Sequence, residues 1–115
     1  EVWVNPTEPR GASVMWQGDA VRLAIAAFGA GRLPAITVNF CGDEAVSIED
    51  YCTYVGKLLG IEPTFKYTDG TYPAGQMDTT LMHEVLGRCE TSWRDGFRQL
   101  AAHRYPDYEL RDVDD

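Results

Sequence analysis

The side chains able to do chemistry are few, and their spacing is uneven. Asp43 and Glu44 follow the apolar run Ala35-Ile36-Thr37-Val38-Asn39-Phe40. If that run is a strand, they lie in a loop at its end, where open α/β sheets meet their ligands. As acidic turn residues ahead of Ser47, they have an equally simple role. Asp78 divides in the same way between touching a ligand and capping a short helix. His83 belongs to that helix. A general base needs a partner carboxylate and a cleft, but Glu84, its neighbour in sequence, faces elsewhere, so His83 is expected at the surface. His103 suits the negative end of the last helix. Neither histidine stands at ligand spacing from a cysteine, and no metal site is expected. Cys41 follows the apolar run with no activating base near it in sequence. Arg10, Arg32 and Arg88 are the cations to watch for an anionic ligand.

The balance of charge narrows the partners. The 115 residues include 18 acidic and 10 basic ones, a formal charge of −8. No basic stripe is available to neutralise phosphates or an anionic membrane surface, so neither nucleic acid nor membrane is an expected partner. No apolar run approaches the roughly 20 residues of a membrane helix. Cys41, Cys52 and Cys89 are odd in number and widely spaced, without a CxxC pair. That suits a reduced cytoplasmic protein with small buried thiols, although one disulfide and one spare thiol fit the count as well. The opening EVWVNPTEPR has neither the basic end nor the apolar core of a signal peptide. It also has no initiator methionine, which raises the expectation of a fragment or a processed product.

These side chains must be positioned by a short series of elements. Val2 to Val4 reads as a short strand. Asn5, Pro6, Pro9 and Gly11 then impose irregular backbone. A helix is expected over 20–28, capped by Asp19, with Val21, Ala24, Ile25 and Phe28 buried on one side. Residues 36–40 read as a strand buried on both faces. Ser47 with Asp50 forms a capping box, and Val46 with Tyr51 a hydrophobic staple. The helix 48–59 buries Ile48, Tyr51, Cys52, Val55, Leu58 and Leu59, and Gly60 closes it. Residues 64–68 alternate as an edge strand. A loop of about ten residues follows, of the sort that often meets ligands. A short helix then carries Leu81, Met82, Val85 and Leu86 as far as Gly87. Ser92 and Asp95 cap a last helix, 93–103, burying Trp93, Phe97, Leu100 and Ala101. Trp3 and Trp16 lie in the weakly structured start.

The fold class is therefore α/β, a small partial sheet with three to four helices. Strand 36–40, helix 48–59 and strand 64–68 are expected to form a right-handed parallel βαβ unit. Its two sheet edges would need covering, by more chain or by a second copy. Residues 1–106 make one small domain, and 107–115 an acidic flexible tail.

The stretch from Asp19 to Ala101 resembles the C-terminal substrate-binding part of the NAD-dependent epimerase/dehydratase family, the extended short-chain dehydrogenases. Asp19 with its alanine-rich helix, Ile36 to Phe40 with Asn39, Gly42 and Ser47, and the helix 48–59 before Gly60 follow the family's order. So do the strand near Pro63 to Tyr67, Asp78-Thr79-Thr80 with Leu86-Gly87, and Trp93-Arg94-Asp95-Gly96-Phe97. The family's glycine-rich nucleotide loop is missing, since Gly29-Ala30-Gly31 follows a helix and lacks the GxGxxG spacing. No tyrosine is followed by lysine four places on, so the family's catalytic pair is missing too.

The resemblance implies a part that selects substrate, with catalysis and NAD belonging to a nucleotide-binding part. This chain alone would bind no cofactor and catalyse nothing, while its parent would be an oxidoreductase. Nucleotide sugars are the family's common substrates. Basic side chains from this part often hold the substrate diphosphate, and Arg88, beside the Leu86-Gly87 stop, is the preferred position. Asp43, Asp78 and Arg10 complete the expected substrate contacts. The competing reading is a stand-alone ligand- or protein-binding module without enzymatic activity, its edges sealed by dimerisation. The partner would then be a homo-oligomer mate in place of the nucleotide-binding domain.

Overall fold

The computed structural model, which describes residues 1–8 and 10–114, contains four short strands and four helices. In chain order they are β1 (Val2–Val4), β2 (Gly11–Ser13), α1 (Gln17–Ala30), β3 (Ala45–Ser47), α2 (Ile48–Leu59), β4 (Phe65–Tyr67), α3 (Thr80–Val85) and α4 (Trp93–Arg104). The α/β class, the open partial sheet and the four helices agree with the sequence. Pro9, read as a breaker, and Asp115, read as part of the tail, lie outside the described residues. No helix among the described residues is long and apolar enough to cross a membrane.

The strand pairing corrects the expected βαβ unit. Residues 35–40 form no strand, and Phe40 is exposed. Instead β4 lies parallel to β1, with Val2 opposite Phe65 and Val4 opposite Tyr67. A second two-stranded sheet joins β2 to β3 antiparallel, with Ala12 opposite Val46. Gly11, expected in irregular backbone, is thus a strand residue, and the residues just before the Ser47 cap pair as well. The reason is physical. β-Branched composition expresses fitness for a pleated, half-buried surface, and no strand lies beside residues 35–40 to supply one. Gly42 marks where the chain instead closes on β2. Its amide donates to the Ser13 carbonyl at 3.2 Å, and a Cβ there would collide with the Val14 carbonyl.

α2 forms over the expected residues. Ser47 Oγ accepts from the Asp50 amide at 3.0 Å. Gly60 ends the helix with φ 67°, the left-handed conformation that costs glycine least. Tyr54 and Leu58 are buried along it. α2 packs on α4 through aromatic rings: Tyr51 stacks on Phe97 at 5.2 Å, and Tyr54 meets Trp93 edge-on at 5.4 Å. Ser92 Oγ accepts from the Asp95 amide, as the second capping box requires. Leu100 stays exposed, against expectation, while Ala101 is buried. Beyond α4 the chain turns back to α2. Tyr108 Oη donates to the Leu59 carbonyl at 2.6 Å, and the Arg111 amide to the Leu58 carbonyl at 3.0 Å.

α1 overturns its expected burial. Val21 is 62%, Ile25 65% and Phe28 90% exposed. Leu23 on the other side is the residue that is fully buried, with Val4, Leu58 and Met82 as the other large core side chains. A core this thin leaves the chain expanded. The radius of gyration is 16.3 Å, against about 13 Å for a compact chain of this length.

Candidate functional site

The loop 88–91, between α3 and α4, is held from three sides by side chains far away in sequence. Asp19 was expected to cap α1, and it does not. It sits in the first turn of α1, 3% exposed, and Trp16 holds the cap position. Its carboxylate accepts from the amides of Glu90 at 3.0 Å and Thr91 at 2.9 Å. Arg22, one turn on, donates to Asp19 Oδ1 at 3.1 Å and to the Arg88 carbonyl at 2.6 Å. Asp43 provides the third contact, accepting from the Cys89 amide at 3.0 Å. The loop's amides from 89 to 91 are therefore all engaged, and Arg88 is carried on a fixed backbone.

Asp43 has a second partner. Its Oδ1 lies 2.8 Å from His83 Nε2, with the two side chains only 18% and 17% exposed. His83 is thus not the surface histidine expected. Its carboxylate partner stands 40 positions away, so neighbouring residues gave no sign of it. The pair ties α3 to the loop ahead of β3. Met82, buried beneath, anchors the same short helix.

Charge follows these contacts. Burial alone would raise the Asp19 pKa, but the Glu90 and Thr91 amides and the Arg22 guanidinium outweigh it and hold it below the usual carboxylate value. Burial pushes the Cys89 thiol up to about 11, which makes it a poor nucleophile at neutral pH. Cys52 is also raised, again by burial. All three cysteines are free thiols. Among the described residues no group of three His, Cys, Asp or Glu side chains could hold a metal ion.

A cleft of about 340 Å³ opens in front of the loop, lined by Val14, Asp43, Glu44, Arg88, Cys89 and Thr91, among others. It brings together two of the expected substrate residues, Arg88 and Asp43. Asp43 is occupied with His83 and Cys89, so its part there is to position the loop. Arg88 is exposed, and among the described residues no carboxylate pairs with its guanidinium. What the arrangement offers chemically is one exposed cation, carried on a held backbone, in a cleft whose wall also bears the carboxylates of Asp43 and Glu44.

The other two expected residues lie elsewhere. Asp78 Oδ1 accepts from the Thr80 amide at the start of α3, and the Thr80 hydroxyl, with that amide, holds its pKa below the usual carboxylate value. It borders a separate hollow with Thr37, Val38 and Asn39. Arg10 is neutralised by Glu8 at 2.7 Å and Glu49 at 2.9 Å, and its pKa is raised, first by the hydrogen bond to Glu8. Tyr67 Oη also donates to Glu49, at 3.2 Å. A third hollow, of about 410 Å³ between α2 and α4, is apolar, with Arg104 its one cation. Sequence reasoning missed Asp19 and Arg22 as loop-holding residues. Their i, i+3 spacing was visible, but the amides they serve lie about 70 residues on.

No protein-family model matches this chain, and no curated protein matches it. Among solved structures, it is similar to MoeE5 in complex with UDP-glucuronic acid and NAD, with a TM-score of 0.66 and 20% sequence identity. The match covers 84% of this chain and 34% of that one, so the chain spans about a third of the length of its structural relative. At that identity the likeness is one of fold.

Proposed function

We propose that this chain is the substrate-selecting part of an NAD-dependent epimerase/dehydratase-type oxidoreductase. Its fold likeness to one third of a protein solved with NAD and a nucleotide sugar carries the reading. The order of segments from Asp19 to Ala101 is consistent with it. In this reading Arg88 meets the anionic part of a nucleotide-diphosphate sugar. Asp19, Arg22 and Asp43 keep the Arg88 backbone in place, so little freedom is lost on binding. Hydride transfer, the chemistry NAD supplies when bound, belongs to a nucleotide-binding unit. The chain itself contributes no tyrosine–lysine pair for proton transfer.

Nitrogen-15 NMR of the chain, titrated with uridine diphosphate and separately with NAD, tests the reading. Millimolar uridine diphosphate is expected to shift the amides of Arg88, Cys89 and Thr91, and Arg88→Ala to abolish those shifts. NAD is expected to shift none. Saturable NAD binding at micromolar concentration would reject this division of labour.

A further inference from the structure

The cleft in front of the loop 88–91 has a charge balance that does not favour an anion. Among the described residues, its charged lining is one cation, Arg88, and two carboxylates, Asp43 and Glu44. The chain around it carries a formal charge of −8. With both carboxylates ionised the wall is net negative, and a wall of that sign repels an anionic ligand. The Cys89 amide, which donates to Asp43 at 3.0 Å, satisfies a lone pair and leaves the charge in place.

One neighbour can change that balance. His83 Nε2 lies 2.8 Å from the other Asp43 oxygen, and both side chains are part-buried. A carboxylate paired with a protonated imidazole is neutral as a pair, and its hydrogen bond is stronger than one from the uncharged ring. Imidazole is the side chain that gains and loses its charge near neutral pH. Ionisable groups approach the pair from each neighbouring element. α3 carries Glu84, and the loop ahead of β3 carries Asp43 itself and Glu44. The loop 88–91 brings Arg88, Cys89 and Glu90, with Asp19 and Arg22 of α1 behind it. Burial keeps the Cys89 thiol protonated at neutral pH, its pKa pushed up to about 11. Asp19, despite its burial, is held below the usual carboxylate value by the Glu90 and Thr91 amides and by Arg22. His83 is the group placed to add positive charge behind the cleft wall near neutral pH.

We propose that anion binding in this cleft is coupled to proton uptake by His83, so that a diphosphate settles beside Arg88 while the His83–Asp43 pair is in its imidazolium–carboxylate form. The inference rests on the function proposed above and names a control on that same site. His83 does not line the cleft; it acts through Asp43 and is a positioning residue. The proton comes from solvent, and no covalent bond forms or breaks. Two effects run the same way. Protonation cancels a negative charge beside Arg88, and it tightens the hold on Asp43, which anchors the Cys89 amide next to Arg88. Linkage makes the coupling reciprocal: the bound anion favours the charged ring.

Calorimetric titration of the chain with uridine diphosphate glucose tests it, because a diphosphate diester keeps the same charge across the range in which imidazole titrates. Affinity is expected to be about 5- to 10-fold tighter near pH 5.5 than near pH 8. Near neutral pH the binding heat should change with the ionisation enthalpy of the buffer, the sign of a proton taken up. His83→Gln keeps a donor for Asp43 but cannot charge. It is expected to bind at the weaker level throughout, with no proton uptake. Histidine ring resonances of the wild-type chain, assigned with His103→Gln, give a second reading that needs no folded His83 variant: with ligand bound, His83 should keep its charged form to higher pH. Equal affinity at both ends of the range with no proton uptake overturns the coupling and leaves the functional reading standing. So does a pH dependence that His83→Gln retains, or a His83 titration that the ligand does not move. A chain that binds no uridine diphosphate glucose at millimolar concentration at either end overturns both.

Discussion

α2 and α1 are similar in length, and both are patterned clearly in sequence, yet they end in opposite situations. α2 is capped at both ends by the residues expected to cap it, and lays Tyr51 and Tyr54 against the rings of α4. α1 forms just as well, but turns its apolar stripe outward. The difference lies in the neighbour and not in the helix. Periodicity states which side an amphipathic helix needs to bury; it does not supply the surface that buries it.

The contrast breaks most easily at the core of α2. Leu58 is fully buried. Leu58→Ala is expected to cost about 2–5 kcal/mol, from lost transfer free energy and a residual cavity. Urea unfolding followed by circular dichroism measures it. A cost under about 1 kcal/mol would mean that α2 is no better anchored than α1.

Asp19 is the exception within α1, a buried anchor on a helix otherwise turned to solvent. Asp19→Asn keeps the shape, removes the charge opposite Arg22 and leaves one oxygen for two amides. It is expected to cost about 1–3 kcal/mol, the range for unsatisfied buried groups. The pH dependence has a definite sign. The folded pKa lies below the ordinary carboxylate value, so the native state favours the ionised form. That stability is fully present above the unfolded pKa, and is lost as pH falls through the lower folded value. Wild-type stability should therefore drop below about pH 4 with a slope that the Asn variant flattens. Equal slopes for the two proteins would show that the Glu90 and Thr91 amides are held by something else.

Much of the fold could be read because its determinants are local. Ser47 with Asp50, Ser92 with Asp95 and Gly60 each encode a helix end within four residues. Val2–Val4 and Phe65–Tyr67 were recognisable as strands from composition, although their mutual pairing was not. Residues 36–40 misled for a physical reason: they carry the strongest strand composition in the chain and have no strand beside them. The site was less legible still. Arg88 and Asp43 were identified as residue types in loops. The contacts that give the loop its form join Asp19 to 90–91 and Asp43 to His83, over separations that no local pattern reports.

The caps give a smaller effect, and they sharpen the comparison by isolating what is local. Ser47→Ala removes the oxygen that receives the Asp50 amide and is expected to cost about 1 kcal/mol. No residue of α1 has an equivalent bond, since Trp16 at its cap position offers no side-chain acceptor. Replacing Trp16 by Ser should add a cap and recover several tenths of a kcal/mol at the helix end, less whatever its indole contributes beside Gly96. Thermal unfolding of the two variants decides whether α2's advantage is its cap or its packing.

The smallest effect is expected where sequence alone would forecast a large one. Ile25 has the position of a core residue on the apolar stripe of α1, and is 65% exposed. In the isolated chain Ile25→Ala should change stability by no more than about 0.5 kcal/mol, as surface substitutions do. Alanine's better helix propensity offsets part of the lost apolar contact. A cost above about 2 kcal/mol would place the residue in a covered environment. Dilution then identifies the cover. A second copy would make the cost and the melting temperature fall with protein concentration, because association stabilises by mass action. A cost independent of concentration would mean that the stripe folds onto its own chain.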